Sequence, residues 1–152
     1  MKRSNQFVVF ALDEQRIALY LSDVERVVPA VEVTRLPKAP ETVLGVINLQ
    51  GQVIPVFNIR KRFRMPEPEM DLSDHLLIAH TSRRTVALVS DKVSGLVECS
   101  EGEVSAADKI LPGLEYVEGV LKLEDGMILI HDLDKFLSLD EESALDEAMR
   151  QA

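Results

Sequence analysis

The chain contains no tryptophan, and only five phenylalanines and two tyrosines among 152 residues. Its core must therefore be built mostly from Val, Leu and Ile, which favours strands. A single cysteine, Cys99, excludes an intramolecular disulfide and fits a reducing compartment. Basic residues are scarce: 17 Lys+Arg stand against 26 Asp+Glu, a net charge of −9, so nucleic acid is not an expected partner. No long apolar run is present. Phe7–Leu12, following Lys2 and Arg3, is too short for a signal peptide or a membrane span, and a soluble cytoplasmic protein without direct membrane insertion is expected. A phosphate-cradling glycine loop is also missing, because Gly45 and Gly51 lie too far apart and open no helix.

What is present is a repeat. The stretch Val43–Phe63, VLGVINLQGQVIPVFNIRKRF, returns 74 residues later as Val117–Leu137, VEGVLKLEDGMILIHDLDKFL. Val43, Gly45, Val46, Leu49, Ile54 and Lys61 recur unchanged as Val117, Gly119, Val120, Leu123, Ile128 and Lys135. Each copy reads as two apolar strands joined by a tight turn, at Gln50-Gly51 and at Asp125-Gly126, where glycine supplies a positive backbone angle. A second offset, 69 residues, relates Ile17, Ala18, Leu19, Val24, Val27 and Val28 to Val86, Ala87, Leu88, Val93, Leu96 and Val97. Two similar β modules are implied, with 46% hydrophobic residues to fill their cores.

Taken in order, Phe7–Leu12 reads as a buried strand, Asp13–Gln15 as a polar turn and Arg16–Leu21 as a second strand. Ser22-Asp23 suits a helix cap, with Val24, Val27 and Val28 at helical spacing until Pro29. Val31–Leu36 alternates like a strand. Pro55 cannot donate to a ladder, which suggests an edge strand or a bulge. Arg64–Ser73 is the linker candidate, and Glu101–Gly113 reads as a polar insert. Ser138 and Glu141 suit a capping box for a last helix whose Leu145, Ala148 and Met149 share one face. Many short strands with turn signals favour two small barrels over a parallel sheet.

Candidate chemistry is thin. His75 and His80 lie five apart on one strand, facing opposite sides, and cannot chelate together. His131 stands beside Asp132 and Asp134, and reads as structural or surface. A Cys99/His nucleophilic pair would require tertiary convergence, and a lone Cys among apolar strands reads as core. The basic cluster Arg60, Lys61, Arg62 and Arg64 has two open readings: a solvated helical turn, or a patch for an acidic protein partner.

The segments FVVFAL, RIALYLSDVERVV, LPKAPETVLGVINLQGQVIPVFNIRKRF, VALVSDKVSGLV and GVLKLEDGMILIHDLDKFL, spanning Phe7 to Leu137, are similar to the CheW family. These are small adaptors that couple chemoreceptors to the CheA histidine kinase in bacterial signalling arrays. The resemblance implies an all-β body, residues 6–137, of two five-stranded SH3-like barrels related by pseudo-twofold symmetry, with short helices. The first barrel would span about 13–81, the second about 6–12 plus 82–137, with a C-terminal helix and tail at 138–152. Residues 6–12 would cross into the second barrel and His75–His80 into the first. The implied function is binding only, with no catalytic residue, no metal and no cofactor. One surface would hold the regulatory domain of a CheA-type kinase, the other the cytoplasmic tip of a methyl-accepting chemoreceptor. By position, Gly45, Val46, Asn48 and Gly51 match the kinase-facing hairpin. Val24, Arg26, Val27 and Gln50 match the receptor-facing region, with Val93 and Leu96 near the groove between barrels. Val24, Val27, Val93 and Leu96 equally suit ordinary core, and Gly45 a close-packed strand glycine. Two departures stand out, since the family commonly has Glu where this chain has Arg26 and Arg where it has Gln50. They leave room for a dedicated receptor or for a pathway controlling something other than motility.

Overall fold

A computed structural model describes residues 6–63, 65–66, 73–99, 104–106, 117–123 and 126–150. The first apolar run forms β1 (Gln6–Leu12), which turns back through Asp13 into β2 (Gln15–Tyr20). The cap expected at Ser22-Asp23 is not formed. Leu21–Asp23 is a single 3-10 turn without a side-chain cap, and Val24–Pro29, expected as a helical turn, is β3. Its three β-branched valines favour the extended chain. The helix-like spacing has another cause. A bulge at Glu25 lets Val24 pair with Ala79 and Arg26 with Ile78, so Val24 and Val27 fall on one face although three residues apart.

The repeat builds β4 (Val43–Leu49) and β5 (Gln52–Phe57), joined by Gln50 and Gly51 at φ 53° and 87°, which are primed-turn angles. A one-turn helix, α1 (Ile59–Arg62), follows, capped by the Asn58 side chain. The second half supplies β6 (His75–His80), β7 (Thr85–Ser90), β8 (Lys92–Glu98), β9 (Val104–Ala106), β10 (Val117–Leu123) and β11 (Gly126–His131). The second hairpin's turn, 124–125, and most of the linker lie outside the described residues, as does most of the polar insert. That insert nevertheless contributes β9, a strand not foreseen. Its counterpart in the first half is a bridge: Thr34 and Val46 exchange two backbone hydrogen bonds, both 2.8 Å, and this is all that the 31–36 alternation yields.

The registers are those of a duplicated module. Gly45↔Val56, Ile47↔Ile54 and Asn48↔Val53 in β4·β5 reappear as Gly119↔Ile130, Leu121↔Ile128 and Lys122↔Met127 in β10·β11, with the same irregularity after Val43 and Val117. Val8↔Leu96 and Phe10↔Val93 in β1·β8 match Leu77↔Val27 and Ala79↔Val24 in β6·β3. Pro55 is not on an edge strand, since β5 lies between β7 and β4. The parallel ladder in the second half contains Leu129↔Ile17, whose first-half equivalent would be Pro55↔Val86. There the ladder starts one residue later, at Val56↔Ala87, so the missing amide is never needed.

Strand order is β8-β1-β2-β11-β10-β9 in a six-stranded sheet and β3-β6-β7-β5-β4 in a five-stranded one. Whole hairpins are exchanged between the halves: β1 and β2 lie in the sheet of β8–β11, and β6 and β7 in the sheet of β3–β5. The turns are too tight for the strands of either hairpin to part. Among the described residues the sheets are not closed into hydrogen-bonded cylinders.

Three cores result. One module buries Ile47, Ile54, Val56, Leu76, Ile78 and Ala87, and the other Phe7, Val9, Ala18, Leu121, Ile128 and Ile130. The largest core lies between them and takes Val8, Phe10 and Leu19 from one sheet and Phe57, Leu77 and Leu88 from the other. The last helix, α2 (Leu139–Arg150), sinks Leu145 and Ala148 into this shared core, with Met149 packed beside them. Its capping box forms as the spacing requires: Glu141 Oε1 accepts the Ser138 amide at 3.0 Å, and Ser138 Oγ accepts the Glu141 amide at 3.1 Å. The helix follows the second module but is strapped to the first. Thr42 Oγ1 and Arg62 donate to Glu141 at 2.7 and 2.8 Å, and Arg84 donates to Glu142 at 3.1 Å and to Asp146. Burial would raise the Glu141 carboxyl, but the Ser138 amide, the Thr42 hydroxyl and Arg62 outweigh it and hold it at about 2.

Candidate partner-binding surfaces

Pairing shows which side of each strand meets the shared core. Val24 and Val27 lie opposite Ala79 and Leu77, and Val93 and Leu96 opposite Phe10 and Val8; all four partners belong to that core. The four apolar residues matched to the receptor region therefore sit on the faces that enclose it, one pair from each module. Val24 and Val93 pack onto the core, while Val27 is 40% and Leu96 62% exposed. Equivalent points of the two modules thus each hold one apolar side chain largely or partly exposed to water. Arg26 does not join them. It pairs with Ile78, whose side chain belongs to the first module's own core, and so lies on the opposite face of β3.

The hairpin residues divide differently. Gly45 is buried against the backbone of residue 34: a Cβ there would overlap the Thr34 carbonyl oxygen and come within 2.9 Å of its carbon and 3.0 Å of Val33 Cγ1. Gly45 thus serves close packing, and no side chain fits there unless the backbone of residue 34 moves. Val46 packs on the shared core. Asn48 is exposed, but its Oδ1 accepts the Gly51 amide at 2.9 Å and so braces the turn. Gln50 and Gly51 form the exposed tip. Sequence reasoning missed Val53, 48% exposed opposite Asn48, and its repeat partner Met127, also 48% exposed, opposite Lys122. The alternation outward from Ile54 and Ile128 could have found both.

Of the basic cluster, Arg60 and Arg62 are tied into the fold rather than solvated. Arg60 is buried, donating to Asp13 at 2.7 Å, to both oxygens of Asp91 at 2.6 and 2.7 Å, and to the Pro66 carbonyl at 3.2 Å. It pins the β1–β2 turn to the β7–β8 junction. Burial alone would raise the Asp91 carboxyl, but the Arg60 guanidinium holds it below the ordinary range. Arg62 donates to the Phe136 carbonyl as well as to Glu141, and its guanidinium lies 5.2 Å from the Phe136 ring centroid. Lys61 alone of the three is exposed, 3.6 Å from Glu41. Arg64 lies outside the described residues.

His131 is not a surface residue. It occupies the position that Phe57 holds in the other copy and is 2% exposed. Its ring centroid is 5.5 Å from Phe136 and 5.8 Å from Phe63, while Phe57 stacks on Phe136 at 4.4 Å. Burial first, and then the charge of Arg62, lower its pKa to about 3, so it is neutral at neutral pH. Cys99 is buried with the second module's core. His75 and His80 occupy the two ends of β6, His80 lying 3.5 Å from Glu25 and 3.1 Å from Thr85. Among the described residues no three His, Cys, Asp or Glu side chains converge as a metal site, and no helix is long and apolar enough to cross a membrane.

Two duplicated β modules around a shared core, with apolar rims and polar groups spent on internal ties, define a double-module scaffold. A family model described as CheW-like domain matches residues 6–141. The chain belongs to the CheW-like family. A chemotaxis protein CheW of Treponema pallidum is 26% identical over 142 residues, covering 90% of this chain and 84% of that relative. One of Rhizobium meliloti is 28% identical over 141 residues, covering 91% of each. The crystal structure of the scaffolding protein TtCheW from Thermoanaerobacter tengcongensis aligns with a TM-score of 0.81 at 29% identity, over 93% of this chain and 96% of that one. The SH3-like double fold is thereby established.

Proposed function

We propose that this protein couples chemoreceptors to a CheA-type histidine kinase by binding both, with no chemistry or cofactor of its own. The observation that carries the reading is the paired rim: Val27 and Leu96, equivalent in the repeat, exposed on either side of the shared core. That rim takes the cytoplasmic tip of the receptor. The β4–β5 hairpin, with Val46, Asn48, Gly51 and Val53, takes the regulatory domain of the kinase. The protein works in the cytoplasm and reaches receptor arrays at the membrane through these partners.

The rim is tested with Val27→Asp and Leu96→Asp in the full chain, titrated with a receptor tip fragment. Each should weaken binding by roughly tenfold or more, since a new charge must be desolvated at an apolar contact. Thermal stability should fall more for Val27→Asp, whose side chain is 40% exposed, than for Leu96→Asp, at 62%, and both variants should remain folded. Wild-type affinity in both variants would place receptor binding elsewhere.

A further inference from the structure

We propose that Arg26 selects an acidic partner, by receiving a carboxylate from the segment that docks along the edge of β3. The proposal rests on the receptor-coupling reading and adds the chemistry of the contact.

Arg60, Arg62 and Arg84 are each largely withdrawn from water, and each holds a carboxylate: Asp13 and Asp91, Glu141, and Glu142 with Asp146. Arg26 is also partly buried, and its Nε, like those of Arg62 and Arg84, is shut off from solvent with no hydrogen-bond partner; what sets it apart is the missing carboxylate. No carboxylate among the described residues pairs with it. A partly buried cation without a counter-charge is costly, and in a chain with 26 acidic residues its isolation calls for a reason. A planar guanidinium fits a carboxylate through two parallel hydrogen bonds, so an Asp or Glu side chain is the group that suits it.

The fold makes the position reachable. β3 has one strand neighbour, β6, and its other edge is free among the described strands. Val27 faces the shared core from one side of that edge and Arg26 stands on the other. A segment lying along β3 can meet both, with an apolar side chain on Val27 and a carboxylate wrapped round to Arg26. The internal repeat then supplies a contrast. β8 offers the same apolar pair, Val93 and Leu96, but the position equivalent to Arg26 is Gly95, where a Cβ would meet nothing within 4 Å. Two rims that match in apolar character differ in one charge. A partner carrying a carboxylate is therefore directed to β3, and its orientation across the pseudo-symmetric rim is fixed.

The test uses the full-length protein and a chemoreceptor tip fragment, with affinity measured by calorimetry at low and high salt. Arg26→Gln should weaken binding roughly three- to tenfold at low salt, and the difference should shrink as salt rises. Arg26→Lys, which keeps the charge but not the fork, should fall between the two and guards against loss of fold. Arg83→Gln, removing an exposed arginine elsewhere, should bind like the wild type. Equal affinity of Arg26→Gln and wild type at low salt overturns the proposal while leaving receptor coupling intact. Failure of the wild type to bind the fragment at all overturns both.

Discussion

Gly45→Ala is expected to lose about 2–4 kcal/mol of stability, enough to unfold a marginal domain. The added methyl would overlap the Thr34 carbonyl oxygen, and that oxygen accepts the Val46 amide at 2.8 Å. Backbone cannot rotate aside as a long side chain can. Relieving the clash means breaking the paired hydrogen bonds between Thr34 and Val46, and both groups would then be left poorly satisfied beside the core. Gly51→Ala is the control. At φ +87° it sits in an exposed turn with nothing within 4 Å, so its cost is the left-handed conformation alone, about 1 kcal/mol. Urea denaturation of the two variants reads the difference. Equal midpoints would mean that residue 34 is not packed on this glycine.

His131→Phe should remove most of the fall in stability on mild acidification. In the unfolded chain the imidazole takes up a proton near its ordinary value of 6.5, whereas in the folded protein it resists until about 3. Between those values the unfolded state binds the extra proton. Stability that is complete above pH 6.5 is thus lost as pH falls, by up to about 1.4 kcal/mol per pH unit. Glu141, depressed to about 2 from 4.5, contributes in the same direction only below its ordinary value, so the window between about pH 6.5 and 5 isolates the histidine. By about pH 5 the wild type should have lost roughly 2 kcal/mol that the variant keeps. Phenylalanine is the natural replacement, because the other copy has Phe57 there, stacked on the same Phe136 ring. Parallel stability curves for the two proteins would show that His131 is not buried neutral.

Both predictions concern residues that the sequence announced without explaining. The 74-residue offset placed Gly45 over Gly119 and Phe57 over His131, and the hairpin registers follow it pair by pair. Periodicity was less reliable where a bulge intervened. Val24 and Val27 imitate a helix because Glu25 is the extra residue in β3, and a pattern of spacings cannot tell an inserted strand residue from a helical turn. The partners of Arg60, Arg62 and Arg84 were out of reach for a different reason. Arg60 lies 47 residues from Asp13 and Arg62 79 from Glu141, and only the crossing of whole hairpins and the strap of α2 bring them together. The same crossing decides which apolar positions become rim. Val27 and Leu96 could be matched as equivalents from sequence, but their exposure depends on where the shared core ends.

The central claim is that one small chain holds two partners at once on separate surfaces. The direct measurement is the mass of the complex formed when the full-length protein is mixed with a CheA-type kinase regulatory domain and a chemoreceptor tip fragment, each in excess. A ternary species is predicted, reduced to the kinase pair by Leu96→Asp and to the receptor pair by Val53→Asp. Mutually exclusive binding, in which either partner displaces the other, would contradict it.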